Sequence, residues 1–138
     1  MGNTEKQNWK TERFNALLKQ YAEDLNYTEE LDYALRLFIA ESRAARNFSG
    51  IHRKTFEESA YDKLTSILLG IDNRKPTGAC QLPENELKAK LQRIVANGNG
   101  MGGYLRIHLV WVGVKLRRRL AKEKEYLESY HEEQQSRI

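Results

Sequence analysis

Lys115, Arg118, Arg119 and Lys122 fall at i, i+3, i+4 and i+7, a spacing that lines them up along one side of a helix. Extended toward the N-terminus, the stripe takes in Tyr104, His108 and Trp111, and Arg117 completes the Lys-Leu-Arg-Arg-Arg run. Flexible cations in such a row meet phosphates and gain affinity by releasing counterions. Aromatic rings beside them offer planes on which bases stack. His108, Trp111, Lys115, Arg117, Arg118, Arg119 and Lys122 are therefore the candidate nucleic-acid-binding residues, for RNA or DNA. The bland alternative is a solvated or protein-docking face in which the cations pair with Glu123 and Glu125 and Trp111 is buried in the core. A third reading places the same cations on anionic membrane phosphates.

Catalytic patterns are missing from the sequence. His52, His108 and His131 are scattered, and His131-Glu132-Glu133 lacks the second histidine of a zinc-binding helix. A single cysteine, Cys80, excludes an internal disulfide and a cysteine-rich zinc site, and no serine nucleophile motif is present. The expectation is a non-enzymatic chain without metal or cofactor. Gly98-Asn99-Gly100-Met101-Gly102-Gly103 spells G-x-G-x-x-G, but a dinucleotide site needs a strand before the glycines, and here a helix is expected. The stretch reads instead as a flexible loop.

The charge distribution supports a polyanionic partner. The net charge of +4 conceals a basic segment, 74–122, with 11 basic and 2 acidic side chains, followed by an acidic end, 123–138, with 2 basic and 5 acidic. Further basic clusters stand at Arg43, Arg46, Arg53 and Lys54, at Arg74 and Lys75, and at Lys88, Lys90 and Arg93. A length of 138 residues suits one domain, 1–138, able to build a core without staples. No apolar run reaches the roughly 20 residues of a transmembrane helix, and the first residues lack the apolar stretch of a signal peptide. An intracellular setting, cytoplasmic or nuclear, is expected, which makes the sequons at Asn26 and Asn47 incidental. The Met1-Gly2 start, the length and the basic helical character are similar in outline to retroviral matrix proteins. Here, however, the basic run falls late, and Lys6 stands where the myristoylation motif wants Ser or Thr, so no family is identified.

These residues must be positioned by helices. Phe14, Leu17, Leu18, Tyr21 and Leu25 make one stripe of a first helix over about 8–24. Asn26, with Glu29 three residues on, predicts the cap of a second helix running to about residue 46, whose wide apolar arc includes Leu31, Leu35 and Phe38. Thr55 and Glu58 predict a capping box for a third helix that buries Ala60, Leu64 and Leu68 and ends at Gly70. Pro76 and Gly78 mark an exposed connection, and Pro83 opens a fourth helix that uses Leu87, Leu91, Ile94 and Val95 and ends at Gly98. Residues 104–114 have the composition of a strand, yet Leu105, Leu109, Val112, Leu116 and Leu120 keep helical spacing through Gly113. The prediction is a long fifth helix over about 103–133, bent near Gly113.

The expected fold is therefore all-α, a single-domain bundle of about five helices with a long C-terminal helix. The leading functional expectation is a non-catalytic nucleic-acid-binding protein, regulatory or part of a ribonucleoprotein or packaging assembly. The alternatives are a helical interaction or adaptor protein, homodimeric through Leu120, Leu127 and Tyr130, and a peripheral matrix-like protein on anionic membrane.

Overall fold

The computed structural model describes residues 2–72, 80–97 and 100–136 and shows a helical bundle with a long last helix. The expectations for Arg74, Lys75, Pro76, Gly78, Gly98 and Asn99 concern residues outside these ranges. In chain order the elements are α1 (Gly2–Asp24), α2 (Glu29–Ala40), α3 (Arg43–Arg46), α4 (Gly50–Leu69), β1 (Ile71–Asp72), β2 (Cys80–Gln81), α5 (Glu84–Ala96) and α6 (Gly100–Ser136). β1 and β2 form a two-residue antiparallel ladder within the α4–α5 connection, Ile71 opposite Gln81 and Asp72 opposite Cys80.

Each break between helices has a local cause. α1 stops where Leu25 takes a left-handed conformation (φ 54°) and its N–H reaches back to the Tyr21 carbonyl at 2.7 Å. Asn26 then donates its N–H to Asp24 Oδ1 at 2.9 Å rather than opening α2. The cap is Thr28, whose hydroxyl accepts from the Leu31 N–H at 3.1 Å. The expected second helix is cut at Ser42. Its hydroxyl donates to the Ile39 carbonyl at 2.7 Å and accepts from the Ala45 N–H at 3.2 Å, so one side chain ends α2 and starts the single turn of α3. Thr55 is likewise not a cap: α4 begins at Gly50 after Ser49, and the Thr55 hydroxyl donates to the Ile51 carbonyl at 3.0 Å inside the helix. Gly70 does cap α4, in the left-handed conformation (φ 72°). Pro83 occupies the position before α5.

The core runs between all the helices. Phe14, Leu18 and Tyr21 of α1, Leu31, Leu35 and Ile39 of α2, Phe56, Leu64 and Leu68 of α4, Leu87 and Leu91 of α5, and Leu105, Leu109 and Leu116 of α6 are buried together. The Tyr21 hydroxyl meets its buried polar requirement by donating to the Leu68 carbonyl at 2.6 Å, which ties α1 to the end of α4. α6 is the common neighbour, packing on α1, α3, α4 and α5. Its 37 residues extend about 55 Å.

Gly113 does not break α6. It is buried where α6 crosses α3 and α4, and a Cβ built there would sit 3.7 Å from Ala44 Cβ, 3.7 Å from Phe56 Cε2 and 3.8 Å from Phe48 Cε2. These are ordinary van der Waals separations, so a methyl group fits and a larger side chain does not. Gly113→Ala is expected to stabilise the protein by about 1 kcal/mol through helix propensity. Gly113→Leu is expected to destabilise it by about 1–3 kcal/mol through overpacking. Urea denaturation followed by circular dichroism distinguishes the two signs.

Candidate nucleic-acid interface

α6 buries Leu105, Leu109 and Leu116 inward, so the residues near 180° from them face outward. Trp111 is on that outer side, 55% exposed, and Ile107 and Val110 beside it are also more than half exposed. Lys115, Arg118 and Lys122 continue the same side along the next three turns, all exposed. At the other end, Lys90 and Arg93 of α5 line an open cleft of about 350 Å³ with Tyr104 and Ile107. The result is one outer face from Tyr104 to Lys122, about 27 Å long, with cations at both ends and aromatic and aliphatic surface between them. No acidic residue lies between Glu86 and Glu123 in the sequence, so the segment supplying this part of α6 has no acid of its own.

The remaining candidates sit differently. Arg119 lies on a flank, half exposed, with Nε 3.9 Å from Glu123 Oε1. Arg117 is exposed but turned about 140° around the helix from Lys122, away from the face that carries Trp111. His108 is partly buried, its ring meeting Tyr104 edge-on with centroids 4.7 Å apart. Burial, and then the positive charges of Lys63 and Lys90, push its pKa below the ordinary histidine value, so at neutral pH it is uncharged. His108 therefore adds a ring and a hydrogen-bonding nitrogen to this region, not a cation. Lys63 of α4 and Lys90 of α5 come near enough to α6 to act on His108, a convergence no spacing within one helix reveals.

The other basic clusters divide. Arg53 is occupied structurally: its Nη2 donates to the Ala40 carbonyl at 2.9 Å, capping α2, and its Nε faces Glu57 at 3.4 Å. Arg43 and Arg46 are exposed on α3. Gly100, Gly102 and Gly103 belong to the first turns of α6, not to a flexible loop, and Met101 between them is buried. Among the described residues, no group of three His, Cys, Asp or Glu side chains is placed to hold a metal ion, and no helix is long and apolar enough to cross a membrane.

A second polar cluster joins α2 to α4. Asp32 accepts hydrogen bonds from the Tyr61 hydroxyl at 2.5 Å, the Tyr27 hydroxyl at 2.8 Å and Arg36 Nε at 2.9 Å, and the Arg36 guanidinium lies 4.0 Å over the Tyr61 ring. The Tyr61 hydroxyl first, then Arg36 and Tyr27, hold the Asp32 carboxyl below its ordinary range; Asp32 in turn pushes Tyr61 up, and burial first, then Asp32, pushes Tyr27 up. All three donors are satisfied by one carboxylate, which makes this a clamp between helices. A carboxylate with a lowered folded-state pKa stabilises the fold above its unfolded pKa, and the contribution disappears as pH falls through the folded value. Asp32→Asn is therefore expected to cost about 1–2 kcal/mol at neutral pH. The gap from the parent should shrink as the solution is acidified below the usual carboxylate range; urea denaturation at a series of pH values measures it.

Compared with known proteins, the chain matches no family model, no curated protein and no solved structure.

Proposed function

We propose that this chain is a non-catalytic nucleic-acid-binding protein whose contact surface is the outer face of α6 with the adjoining edge of α5. The observation that carries this reading is Trp111, 55% exposed and followed along the same face by Lys115, Arg118 and Lys122. An indole in water beside a row of cations is a costly arrangement for a solubilising surface and a useful one for a strand whose bases stack while its phosphates are neutralised. Lys90 and Arg93 extend the row, so about five phosphates are within the compass of the face. For duplex DNA this predicts a log–log salt slope of roughly −4 to −5, and for a single strand roughly −3 to −4.

The direct test is fluorescence anisotropy of labelled single- and double-stranded RNA and DNA against the protein at several salt concentrations, with Trp111→Ala in parallel. Trp111 is exposed, so the variant should keep its stability to within about 0.5 kcal/mol. On single strands it should lose about 1–3 kcal/mol of binding for each stacked base. Absence of binding at low salt would reject the proposal.

One observation favours a second reading. Ile107 and Val110 are as exposed as Trp111, and aliphatic side chains have no role in stacking. A protein partner that buries this patch while its acidic residues meet Lys115 and Lys122 is the alternative. In that case the nucleic-acid titration stays flat.

A further inference from the structure

The stripe that α6 buries in its own bundle does not stop where the bundle stops. Leu109 and Leu116 are buried and Leu120 is partly covered, but every described side chain from residue 121 to 135 is exposed. The stripe continues through Leu127, 55% exposed, and Tyr130, 49% exposed, with Tyr126 next to it at 72%. Leu116, Leu120, Glu123, Leu127 and Tyr130 are spaced 4, 3, 4 and 3 apart, the alternation of a two-helix seam. A projecting helix of some four turns gains nothing from the bundle's packing, which is where most helical stability in proteins comes from. Apolar side chains on one side of such a projection therefore point to a partner helix.

Charge identifies that helix. Residues 115–122 hold five cations and no acid, while residues 123–133 hold five acids and one cation. Two copies of α6 laid parallel would set cations beside cations and acids beside acids. Laid antiparallel, each copy's acidic stretch runs beside the other's basic stretch, with the helix axes 8–10 Å apart, about one Debye length at physiological salt. With Leu120 level with Tyr130 of a second copy, Leu127 comes level with Glu123 of that copy, and Arg119, about 60° around the helix from the seam, comes within two residues of level with Glu133. Lys124, one residue beyond Glu123, offers the seam glutamate a cation.

We infer that the projecting half of α6 pairs antiparallel with the same segment of a second copy of this chain, through Leu120, Leu127 and Tyr130. The seam lies about 140° around the helix from Lys122, so pairing leaves the outer face with Trp111 open. The inference does not rest on nucleic-acid binding, and either one stands if the other fails.

Sedimentation velocity of the full chain over a wide concentration range, without nucleic acid, tests it. The parent should be a dimer that weakens as salt rises. Leu127→Glu and Tyr130→Glu should raise the dissociation constant at least about a hundredfold, because each copy loses its seam residue. Both side chains are exposed in the single chain, so the variants should keep the parent's helicity in circular dichroism. Spin labels on Gln134→Cys in a Cys80→Ser background report orientation. An antiparallel pair separates them by about 27 Å along the axis, a parallel pair by about 10 Å. A monomer at every concentration, folded variants that still dimerise, or the short label distance would each overturn the inference.

Discussion

A variant with Lys115, Arg118 and Lys122 all changed to glutamine is expected to bind nucleic acid on the order of a hundredfold more weakly at about 0.1 M salt, with the log–log salt slope reduced by roughly 2–3. Each of these cations is exposed on the face that carries Trp111, so each contributes by releasing about one counterion. Stability should hardly change, since none is buried. Arg117→Gln alone provides the internal comparison. It removes the same charge from the same helix but on the far side, so its effect should be the smaller, felt through the general field. Equal losses from Arg117 and Arg118, measured singly by anisotropy, would mean that net charge rather than this face governs binding.

The second large effect is on stability. Phe56 is fully buried at the junction of α3, α4 and α6, stacked on Phe48 with centroids 5.4 Å apart and touching the position of Gly113. Phe56→Ala removes the ring from a site walled by three helices that cannot all collapse into the space. The expected cost is about 3–5 kcal/mol, a large share of the roughly 5–15 kcal/mol that holds an ordinary domain together. Thermal denaturation should show a fall in Tm of roughly 10–20 °C. An unchanged Tm would mean that the three helices do not meet at this ring.

Helical content and the reach of the last helix were legible because leucine spacing persists from Leu105 to Leu120, and a strand there had no partner. Helix starts were less legible. Asn26 and Thr28 are both good capping residues two positions apart, and the choice falls to the turn made by Leu25, whose left-handed backbone no pattern announces. The pair Thr55 and Glu58 fits a capping box as well as a helix interior, and Ser49 decides because the chain turns at Gly50, which has φ 56°. A glycine within a helix has two uses, flexibility and close approach, and the packing of Gly113 against Ala44, Phe48 and Phe56 puts it to the second.

For the candidate interface, the row Lys115, Arg118 and Lys122 followed from angular spacing alone. Arg117 was grouped with it as part of a run, although 100° per residue already placed it elsewhere. The exposure of Ile107, Val110 and Trp111 was not readable, because β-branched and aromatic residues imply burial only where another element arrives to cover them. Lys90, Arg93 and Lys63 were likewise out of reach, since their approach to α6 depends on how α4 and α5 pack.

The place of α6 in the bundle also bears on how the chain is made. The helix that touches α1, α3, α4 and α5 follows all of them in the chain, so it leaves the ribosome after they do. At about 5–20 residues per second its 37 residues take roughly 2–8 seconds to emerge. During that interval Leu18, Phe56, Leu64 and Leu91 have partners among themselves but lack the surface that finally closes over them. The nascent chain must therefore wait in an open form that any factor binding apolar segments has time to meet, and a ribosome stalled before Gly100 would hold it there.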